Sequence, residues 1–383
     1  MSEKRIGLVG LLSQIENPGE IEINRLYEIV GRNTGNLLFT NAVINQLKGT
    51  VERIGYSFDP DQINQEYDVV AIPAANWLGE YVDMGFLADR LEKLTIPCII
   101  VGLGAQSDIT GSIPKLPTGS IKLLEVLSDR SEKISLRGYF SAEVLDHYGF
   151  KSYTVTGCPS IFMDLNKNQK IVKADQLDST SNLAIASTRY HLTDALFSEG
   201  MANRINWMLF KAGYSLQTDM IFQSEIPEFQ LLAKPAVFME KLAANYFSNG
   251  KGAYFLKTYG APNREAAIDY VKERGKLYFN AQEWIAAMKQ YDFLISSRIH
   301  GTIAALLAGV PAILLSHDSR TKELADFCGI PTYPVDPAKE ALNLEDFKQF
   351  YQEVDLKKYA ACTSSNYETL KEFYRENDLE TNL

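Results

Sequence analysis

The chain has 383 residues, of which 46% are hydrophobic and 22% charged, a composition ordinary for a globular protein and long enough for two domains. Its formal net charge of -10 argues against a nucleic-acid binder, because phosphate backbones need clustered Lys and Arg. The cysteines Cys98, Cys158, Cys328 and Cys362 show no CxxC spacing, so neither a zinc site nor a disulfide framework is predicted.

The N-terminus runs directly into a strand-like segment and has no signal-peptide pattern. No stretch approaches the roughly 18–20 consecutive apolar residues of a membrane span. We therefore expect a cytoplasmic protein, with peripheral contact at the inner face of the membrane left open.

Up to about residue 165, strand-like runs alternate with helical stretches, which is typical of a parallel sheet with crossover helices. The strand-like runs are Arg5–Leu11, Asp68–Pro73, Pro97–Gln106 with its Gly-rich turn, Lys133–Arg137 and Tyr153–Ser160. Residues 164–182 turn polar and read as a linker.

A second alternating series follows the linker. Its predicted strands are Leu183–Ser187, Tyr214–Asp219, Lys276–Asn280, Phe293–Ser296 and Ala312–His317. The fold prediction is α/β, with two Rossmann-like doubly wound domains, residues 1–170 and 180–342, facing a central cleft. Helices over residues 343–383 complete the chain.

Several predicted strands end in a cation or an imidazole. These residues are Arg137, Arg189, Arg298 with His300, and, after the predicted strand Ala312–His317, Arg320 and Lys322. Because parallel strands end at one edge of a sheet, the cations would line the cleft between the domains. Arginine matches phosphate and carboxylate bidentately, so this pattern predicts a site for a small substrate that carries both groups. The alternative for each cation alone is a solvated surface charge.

The stretch from Ser297 to Thr302 reads as a strand end that opens a helix. Gly301 and Thr302 are predicted to present free backbone N–H groups to an anion. His300 is the candidate general acid or base. Its alternative role is structural, as a donor to a backbone carbonyl that fixes the turn.

The segment SRIHGTIAALLAGVP (297–311), followed by DSRTKELA (318–325) and GIP (329–331), resembles the polysaccharide pyruvyl transferase family. Further matches are GRNTGN (31–36), VGLG (101–104), SLR (135–137) with SAEVL (141–145), and GCPS (157–160). The resemblance extends from about residue 31 to residue 331. It implies a glycosyltransferase-B-like (GT-B-like) pair of Rossmann-type domains.

The implied activity moves a pyruvyl group from phosphoenolpyruvate onto two hydroxyls of a sugar, which gives a ketal and free phosphate. The resemblance assigns the donor to Arg298 and His300, joined by Arg137. The acceptor would be a sugar or lipid-linked oligosaccharide of a cell-surface polysaccharide, bound on the side of the first domain. The full set of predicted substrate-binding residues is Arg137, Arg189, Gly301, Thr302, Arg320, Lys322 and Asn36. We expect no metal and no cofactor besides the donor substrate.

Two other functions fit the same residues. A nucleotide-sugar-dependent GT-B glycosyltransferase would use the cationic cleft for a diphosphate, since one fold hosts many chemistries. A non-catalytic sugar- or anion-binding module would use the cleft without turnover.

Overall fold

The computed structural model describes residues 3–107, 112–178, 180–188, 201–243, 258–316, 319–333, 339 and 341–383. They form two lobes. Lobe 1 contains β1 (Arg5–Leu8), α1 (Ile23–Ile29), α2 (Asn36–Gln46), β2 (Thr50–Arg53), α3 (Pro60–Glu66), β3 (Val69–Pro73), α4 (Gly85–Leu91), β4 (Cys98–Val101), α5 (Thr118–Arg130), β5 (Ile134–Leu136), α6 (Tyr139–His147) and β6 (Tyr153–Val155), with short 3-10 turns at Pro18–Glu20 and Pro159–Phe162.

Lobe 2 follows a connection without helix or strand among its described residues. It contains β7 (Leu183–Ala186), α7 (Met201–Leu216), β8 (Asp219–Phe222), α8 (Ile226–Ala233), α9 (Pro235–Ala243), α10 (Arg264–Arg274), β9 (Gly275–Leu277), α11 (Ala281–Met288), β10 (Phe293–Ser296), α12 (Ile299–Leu307), β11 (Ala312–Leu314), α13 (Ser319–Cys328) and α14 (Leu344–Glu353). The last helix, α15 (Lys357–Glu376), returns to lobe 1.

Both sheets are parallel and change direction of winding once. In lobe 1 the order is β2-β1-β3-β4, and a bridge between Leu103 and Leu136 continues it into β5 and β6. In lobe 2 the order is β9-β8-β7-β10-β11. The winding reverses between β1 and β3 and between β7 and β10, and ligands of open α/β sheets bind beyond the strand ends at such points. The prediction of two Rossmann-like lobes in a GT-B-like arrangement is confirmed.

One predicted strand is wrong. Tyr214 to Leu216 belong to α7, and β8 begins only at Asp219. Helix α7 ends at Leu216; Gln217 after it adopts a left-handed conformation (φ 53°), and the N–H of Thr218 donates to the carbonyl of Gly213 at 3.1 Å. This is the usual way in which a helix closes its last turn. As a result, β8 delivers the residues after Phe222, and not Asp219, to the cleft.

Helix α2 lies at the centre of the molecule. Most of its residues are buried, including the polar Thr40, Asn41 and Gln46, as expected for a helix surrounded by protein on all sides. Its polar side chains meet partners from elsewhere in the fold. The amide of Gln282 in lobe 2 donates to the Asn41 oxygen at 2.9 Å, and the Gln46 amide donates to the carbonyl of Pro159 at 2.8 Å. Helix α2 therefore connects lobe 1 to lobe 2.

The two C-terminal helices divide between the lobes. Tyr351 of α14 packs edge-on against Phe293 of lobe 2, with ring centroids 5.2 Å apart, whereas Tyr374 of α15 donates to the Gln46 side chain of lobe 1 at 3.0 Å. The chain thus crosses between lobes a second time near residue 355. Lys173 of the first crossing donates to the backbone carbonyls of residues 352 and 354, at 3.1 and 3.2 Å.

Across the described ranges, no helix has both the length and the apolar composition needed to cross a lipid bilayer.

We predict that Tyr374→Ala destabilises the protein by about 3–5 kcal/mol, the usual cost of removing a fully buried aromatic side chain. Tyr374 is fully buried, so its loss leaves both a cavity and a Gln46 side chain without its donor. The free energy of unfolding by urea measures the effect. Tyr81→Ala is the matched control, because Tyr81 is 94% exposed and its loss should cost no more than about 0.5 kcal/mol. Equal effects of the two variants would contradict the packing described for α15.

Candidate active site

A small cavity lies where the strand ends of the two sheets face each other. Lobe 1 contributes the turn before α2, the loop after β3 and the residue after β5, and lobe 2 contributes the ends of β8 and β10. The lining residues are Asn33, Asn36, Phe39, Ala75, Asn76, Arg137, Gln223, Arg298, Ile299 and His300. The cavity therefore contains the predicted catalytic pair and one predicted cation from the opposite lobe.

Arg298 follows β10 and stands at the N-cap position of α12. Its Nη2 lies 3.0 Å from Oε1 of Glu225, whose side chain is fully buried, and it also donates to the Ser224 hydroxyl. The other Glu225 oxygen accepts the N–H groups of Gln223 (2.8 Å) and Ser224 (3.1 Å). Burial raises the pKa of the Glu225 carboxyl, but Arg298 and the backbone donors outweigh it, so the pKa lies below its ordinary value. Glu225 is thus ionised and holds Arg298 in place.

Arg137 follows β5 on the opposite side of the cavity and is 7% exposed. Its guanidinium donates to the side-chain oxygen of Asn76 and to the carbonyl of Gly102 at 3.4 Å. Asn76 is held in turn by its amide, which donates to Gln106 at 2.9 Å. A Cβ at Gly104 would collide with the Arg137 guanidinium. The Gly-rich turn after β4 therefore makes room for an arginine.

His300 is the second residue of α12 and lies between the lobes. Its Nε2 is 3.8 Å from the sulfur of Cys158, and its ring centroid is 5.7 Å from that of Phe39. On the other side, a Cβ at Gly35 would lie 2.8 Å from His300 Nδ1 and 2.5 Å from Oε1 of Gln223. Gly35 has an ordinary helical φ of -57°, so only the lack of space requires glycine there.

Two helix N-termini meet at this point. Gly35 is the N-cap of α2, and Arg298 is the N-cap of α12. Each helix directs the positive end of its dipole towards the cavity. Together with Arg137 and Arg298, this arrangement favours an anionic ligand.

The cavity measures only about 60 Å³, far below the roughly 300–1,000 Å³ of typical ligand pockets, so substrates require the lobes or side chains to move apart.

The prediction for Thr302 is wrong. Its N–H donates to the carbonyl of Arg298 at 3.0 Å, and its hydroxyl, fully buried, donates to the same oxygen at 3.1 Å. Thr302 therefore closes the first turn of α12 and offers no free donor. Gly301 borders the cavity without lining it: a Cβ there would lie 2.8 Å from that of Ala186 and 3.4 Å from Nε2 of Gln223.

The other predicted residues have different outcomes. Asn36 lines the cavity, but its amide donates to the carbonyls of Val30 and Gly31 at 3.0 and 3.2 Å and so stabilises the turn before α2. Lys322 does not line the cavity: its exposed side chain pairs with Asp326 at 2.5 Å on the surface of α13, and its role in substrate binding stays a prediction. Arg189 and the side chain of Arg320 lie outside the described residues, so their roles stay predictions.

Sequence reasoning missed several residues of the site. Gln223, 1% exposed, lines the cavity, and its Nε2 has no hydrogen-bond partner in the described part of the chain. The error in β8 concealed it, since a strand over Asp219–Phe222 would have placed Gln223 at the sheet edge beside Glu225. Asn33 and Asn76 are the other polar lining residues that were not singled out: Asn33 lies within the matched GRNTGN segment, and nothing in the local sequence distinguishes Asn76 from a loop asparagine.

Within the described ranges, no three His, Cys, Asp or Glu side chains gather in a way that would hold a metal ion. What the site offers chemically is fixed positive charge, hydrogen-bonding amides and one imidazole.

We predict that Glu225→Gln lowers the free energy of unfolding by about 3–5 kcal/mol at neutral pH, the usual cost of removing one partner from a buried ion pair. Because the native pKa of Glu225 is depressed, its ionised form stabilises the fold above the ordinary carboxyl pKa, and this stabilisation is lost as the pH falls through the native value. The difference between variant and wild type should therefore shrink in acid. Thermal or urea unfolding at several pH values measures it.

Glu125→Gln, an exposed carboxylate on α5, serves as the control and should change stability by no more than about 0.5 kcal/mol. A Glu225→Gln effect that did not depend on pH would contradict the ionised pair.

Known proteins resemble this chain in two ways, through the overall fold and through the sequence of one family. Solved structures with a similar overall fold include UDP-N-acetylglucosamine 2-epimerase from Rickettsia bellii (12% identity, 98% of this chain and 97% of that chain, TM-score 0.47) and the Methanocaldococcus jannaschii UDP-GlcNAc 2-epimerase in complex with UDP-GlcNAc and UDP (12% identity, 97% and 99%, TM-score 0.45). Similarity at this level carries no information on ligand or activity. No curated protein matches the chain significantly.

A sequence model of one family, by contrast, matches residues 33–319, three quarters of the chain. The matched range begins at Asn33 in the turn before α2 and includes Arg137, Gln223, Arg298 and His300, so it covers both walls of the cavity. The chain therefore belongs to the polysaccharide pyruvyl transferase family.

Proposed function

We propose that this protein transfers a pyruvyl group from phosphoenolpyruvate to two hydroxyls of one sugar in a cell-surface polysaccharide or its precursor. The products are a cyclic pyruvate ketal and inorganic phosphate. One observation carries the proposal: in a member of this family, Arg137 of one lobe and Arg298 and His300 of the other line a single cavity. The family supports a transferase of polysaccharide biosynthesis, and the donor and the ketal are our inference from the site.

The donor requires two anion contacts, because phosphoenolpyruvate carries a phosphate and a carboxylate. Arg137 and Arg298 supply one guanidinium from each lobe, a group that matches either anion bidentately. Both side chains are already held, Arg298 by Glu225 and Arg137 by Asn76, so little conformational freedom is lost when the donor binds. The N-terminus of α12 adds positive potential at the same place.

The chemistry requires proton transfer. Protonation of the methylene carbon of phosphoenolpyruvate converts it to a methyl group and leaves oxocarbenium character on the neighbouring carbon. One sugar hydroxyl attacks that carbon, and the second hydroxyl then displaces phosphate. Of the two hydroxyl protons, one balances the proton on the methyl carbon and the other leaves with phosphate. The guanidinium groups stabilise the phosphate as it departs.

His300 is the group that would move these protons. Its Nδ1 side faces Gly35 and Gln223 of the cleft, while its Nε2 lies beside Cys158. An imidazole both accepts and donates a proton near neutral pH. On lobe 1, Asn33 lines the cavity with an amide, a group that hydrogen-bonds to hydroxyls and suits the acceptor sugar, whereas the side chain of Asn76 is engaged with Arg137 and Gln106.

The decisive test is phosphate release from phosphoenolpyruvate over a panel of galactosyl, mannosyl and N-acetylhexosaminyl acceptors, free and lipid-linked. We expect His300→Ala to lower kcat by about 10²–10⁴-fold, the usual contribution of a general acid or base, without a change in folding. His147→Ala, an exposed histidine on α6, is the matched control and should retain full activity. Unchanged turnover in His300→Ala would remove His300 from the mechanism.

Gly35→Ala tests the contact between the lobes directly. The added methyl would lie within 2.8 Å of His300 and Gln223, so we expect at least a roughly tenfold fall in kcat/KM, because a small misplacement of catalytic groups is costly. The helical φ of Gly35 accepts alanine, so the melting temperature should change little. Gly19→Ala, which meets nothing within 4 Å, should behave as wild type. Wild-type kinetics in Gly35→Ala would place the reaction elsewhere.

A nucleotide-sugar glycosyltransferase would bind its donor in the same cleft. Thermal-shift measurements with phosphoenolpyruvate, UDP-sugars and GDP-sugars distinguish the two, since stabilisation follows affinity for the native state. Stabilisation by a nucleotide-sugar but not by phosphoenolpyruvate would overturn the proposal. Binding of phosphoenolpyruvate without phosphate release on any acceptor would favour the non-catalytic module.

A further inference from the structure

A second buried carboxyl group, beside Arg137, joins the two lobes. Glu323 belongs to α13 of lobe 2 and is 7% exposed. Its Oε1 accepts the backbone N–H of Ser141, at 2.6 Å, in the first turn of α6 in lobe 1. The N-cap of that helix, Gly138, offers no side-chain oxygen. Glu323 therefore caps a helix of the opposite lobe with a side-chain oxygen that accepts a free N–H.

The fit around Glu323 is tight. A Cβ at Gly138 would collide with the Glu323 side chain. The φ of Gly138 is -177°, an extended conformation open to any residue, so glycine is needed there only because Glu323 approaches so closely. Both lobes therefore contribute to this contact: lobe 2 supplies the Glu323 side chain, and Gly138 of lobe 1 leaves the space that it occupies.

This contact reaches the cavity through one short turn. Arg137 directly precedes Gly138, and the Ser141 hydroxyl accepts the N–H of Ala105 at 2.8 Å. Ala105 follows Gly104, whose missing side chain leaves room for the Arg137 guanidinium. Glu323 therefore fixes, from lobe 2, the turn that holds the lobe 1 arginine in the cleft.

We propose that Glu323 is a positioning residue that aligns Arg137 with Arg298 and His300 when the lobes close on substrate. This inference rests on the proposed function for its kinetic readout only. The cavity is too small to admit substrates, so the lobes or the side chains that line it move apart for binding. Separation of the lobes would break the bond from Ser141 to Glu323, and closure would restore it.

The charge of Glu323 affects this contact. Its Oε2 is buried and has no hydrogen-bond partner among the described residues. The charged and titratable groups around it are Arg137 and Glu143 of lobe 1 and Cys328 of its own helix. Burial raises the pKa of Glu323, and Ser141 and Arg137 offset this only in part. Because the pKa is raised in the closed form, ionisation weakens closure as the pH rises above the ordinary carboxyl value.

Glu323→Ala and Glu323→Gln test the role. Alanine removes the acceptor of the Ser141 N–H, so kcat/KM for phosphoenolpyruvate should fall at least roughly tenfold. Glutamine keeps an oxygen at the same place, so the variant should retain most of the activity. Because glutamine does not titrate, the pH dependence of kcat/KM that comes from Glu323 should disappear. Asp326→Asn is the matched control, an exposed carboxylate on the same helix whose loss should leave the kinetics unchanged. Equal losses in the alanine and glutamine variants, or a lower melting temperature with unchanged kcat/KM, would overturn the assignment.

A readout independent of activity separates this inference from the proposed function. Hydrogen exchange of the Ser141 amide, measured on the full chain, should be at least roughly tenfold faster in Glu323→Ala than in Asp326→Asn or wild type. If exchange is faster in Glu323→Ala but the wild type releases no phosphate, the pyruvyl transfer is refuted and the contact between the lobes stands. Equal exchange in all three proteins would refute the contact.

Discussion

The structure depends above all on the need to neutralise two arginines that are buried at the mouth of one cleft. A guanidinium keeps its charge at any ordinary pH, so its burial is tolerated only if an opposite charge and hydrogen-bond acceptors surround it. Arg298 meets this condition through Glu225, and Arg137 through the Asn76 and Gly102 oxygens with Glu323 nearby. The charges that would hold a substrate are therefore fixed before it arrives, which is how proteins stabilise charge without reorganisation during the reaction.

Three glycines around the site have a common cause. Gly35, Gly104 and Gly138 all have conformations that other residues adopt, and each is close to a functional side chain of another segment. Glycine at these positions lets His300, Arg137 and Glu323 approach a backbone directly. Gly31 and Gly102 differ in that each also has a positive φ, which favours glycine in addition to the lack of space. Gly35, Gly104 and Gly138 therefore mark the places where a functional side chain contacts the backbone of another segment.

The sequence was sufficient to predict the alternation of strands and helices, because that pattern is local. It also placed Arg137, Arg298 and His300 correctly at strand ends, since parallel strands bring their ends to one edge. The buried carboxyl groups Glu225 and Glu323 could not be predicted, because they act on residues distant in sequence and no local pattern encodes which lobe a helix faces. The edge strand β2, mostly exposed, lacks the apolar run on which strand prediction relies. The prediction of a free N–H at Thr302 was wrong for another reason. Helix α12 begins before Thr302, and the Thr302 N–H donates to the Arg298 carbonyl in its first turn.

The paired crossings of the chain have a consequence for how the cleft works. The segment after residue 163 and the segment near residue 355 pass between the lobes side by side, joined by Lys173 and by the bond from the Tyr359 hydroxyl to Gln169 at 2.7 Å. Two adjacent connections restrict the relative movement of the lobes more than one would, and hinges of domain closure are built from such short connecting segments. Arg298 and Glu225 belong to one lobe, and Arg137 and Asn76 belong to the other. A movement of one lobe against the other would therefore keep these pairs together and change only the alignment across the cleft.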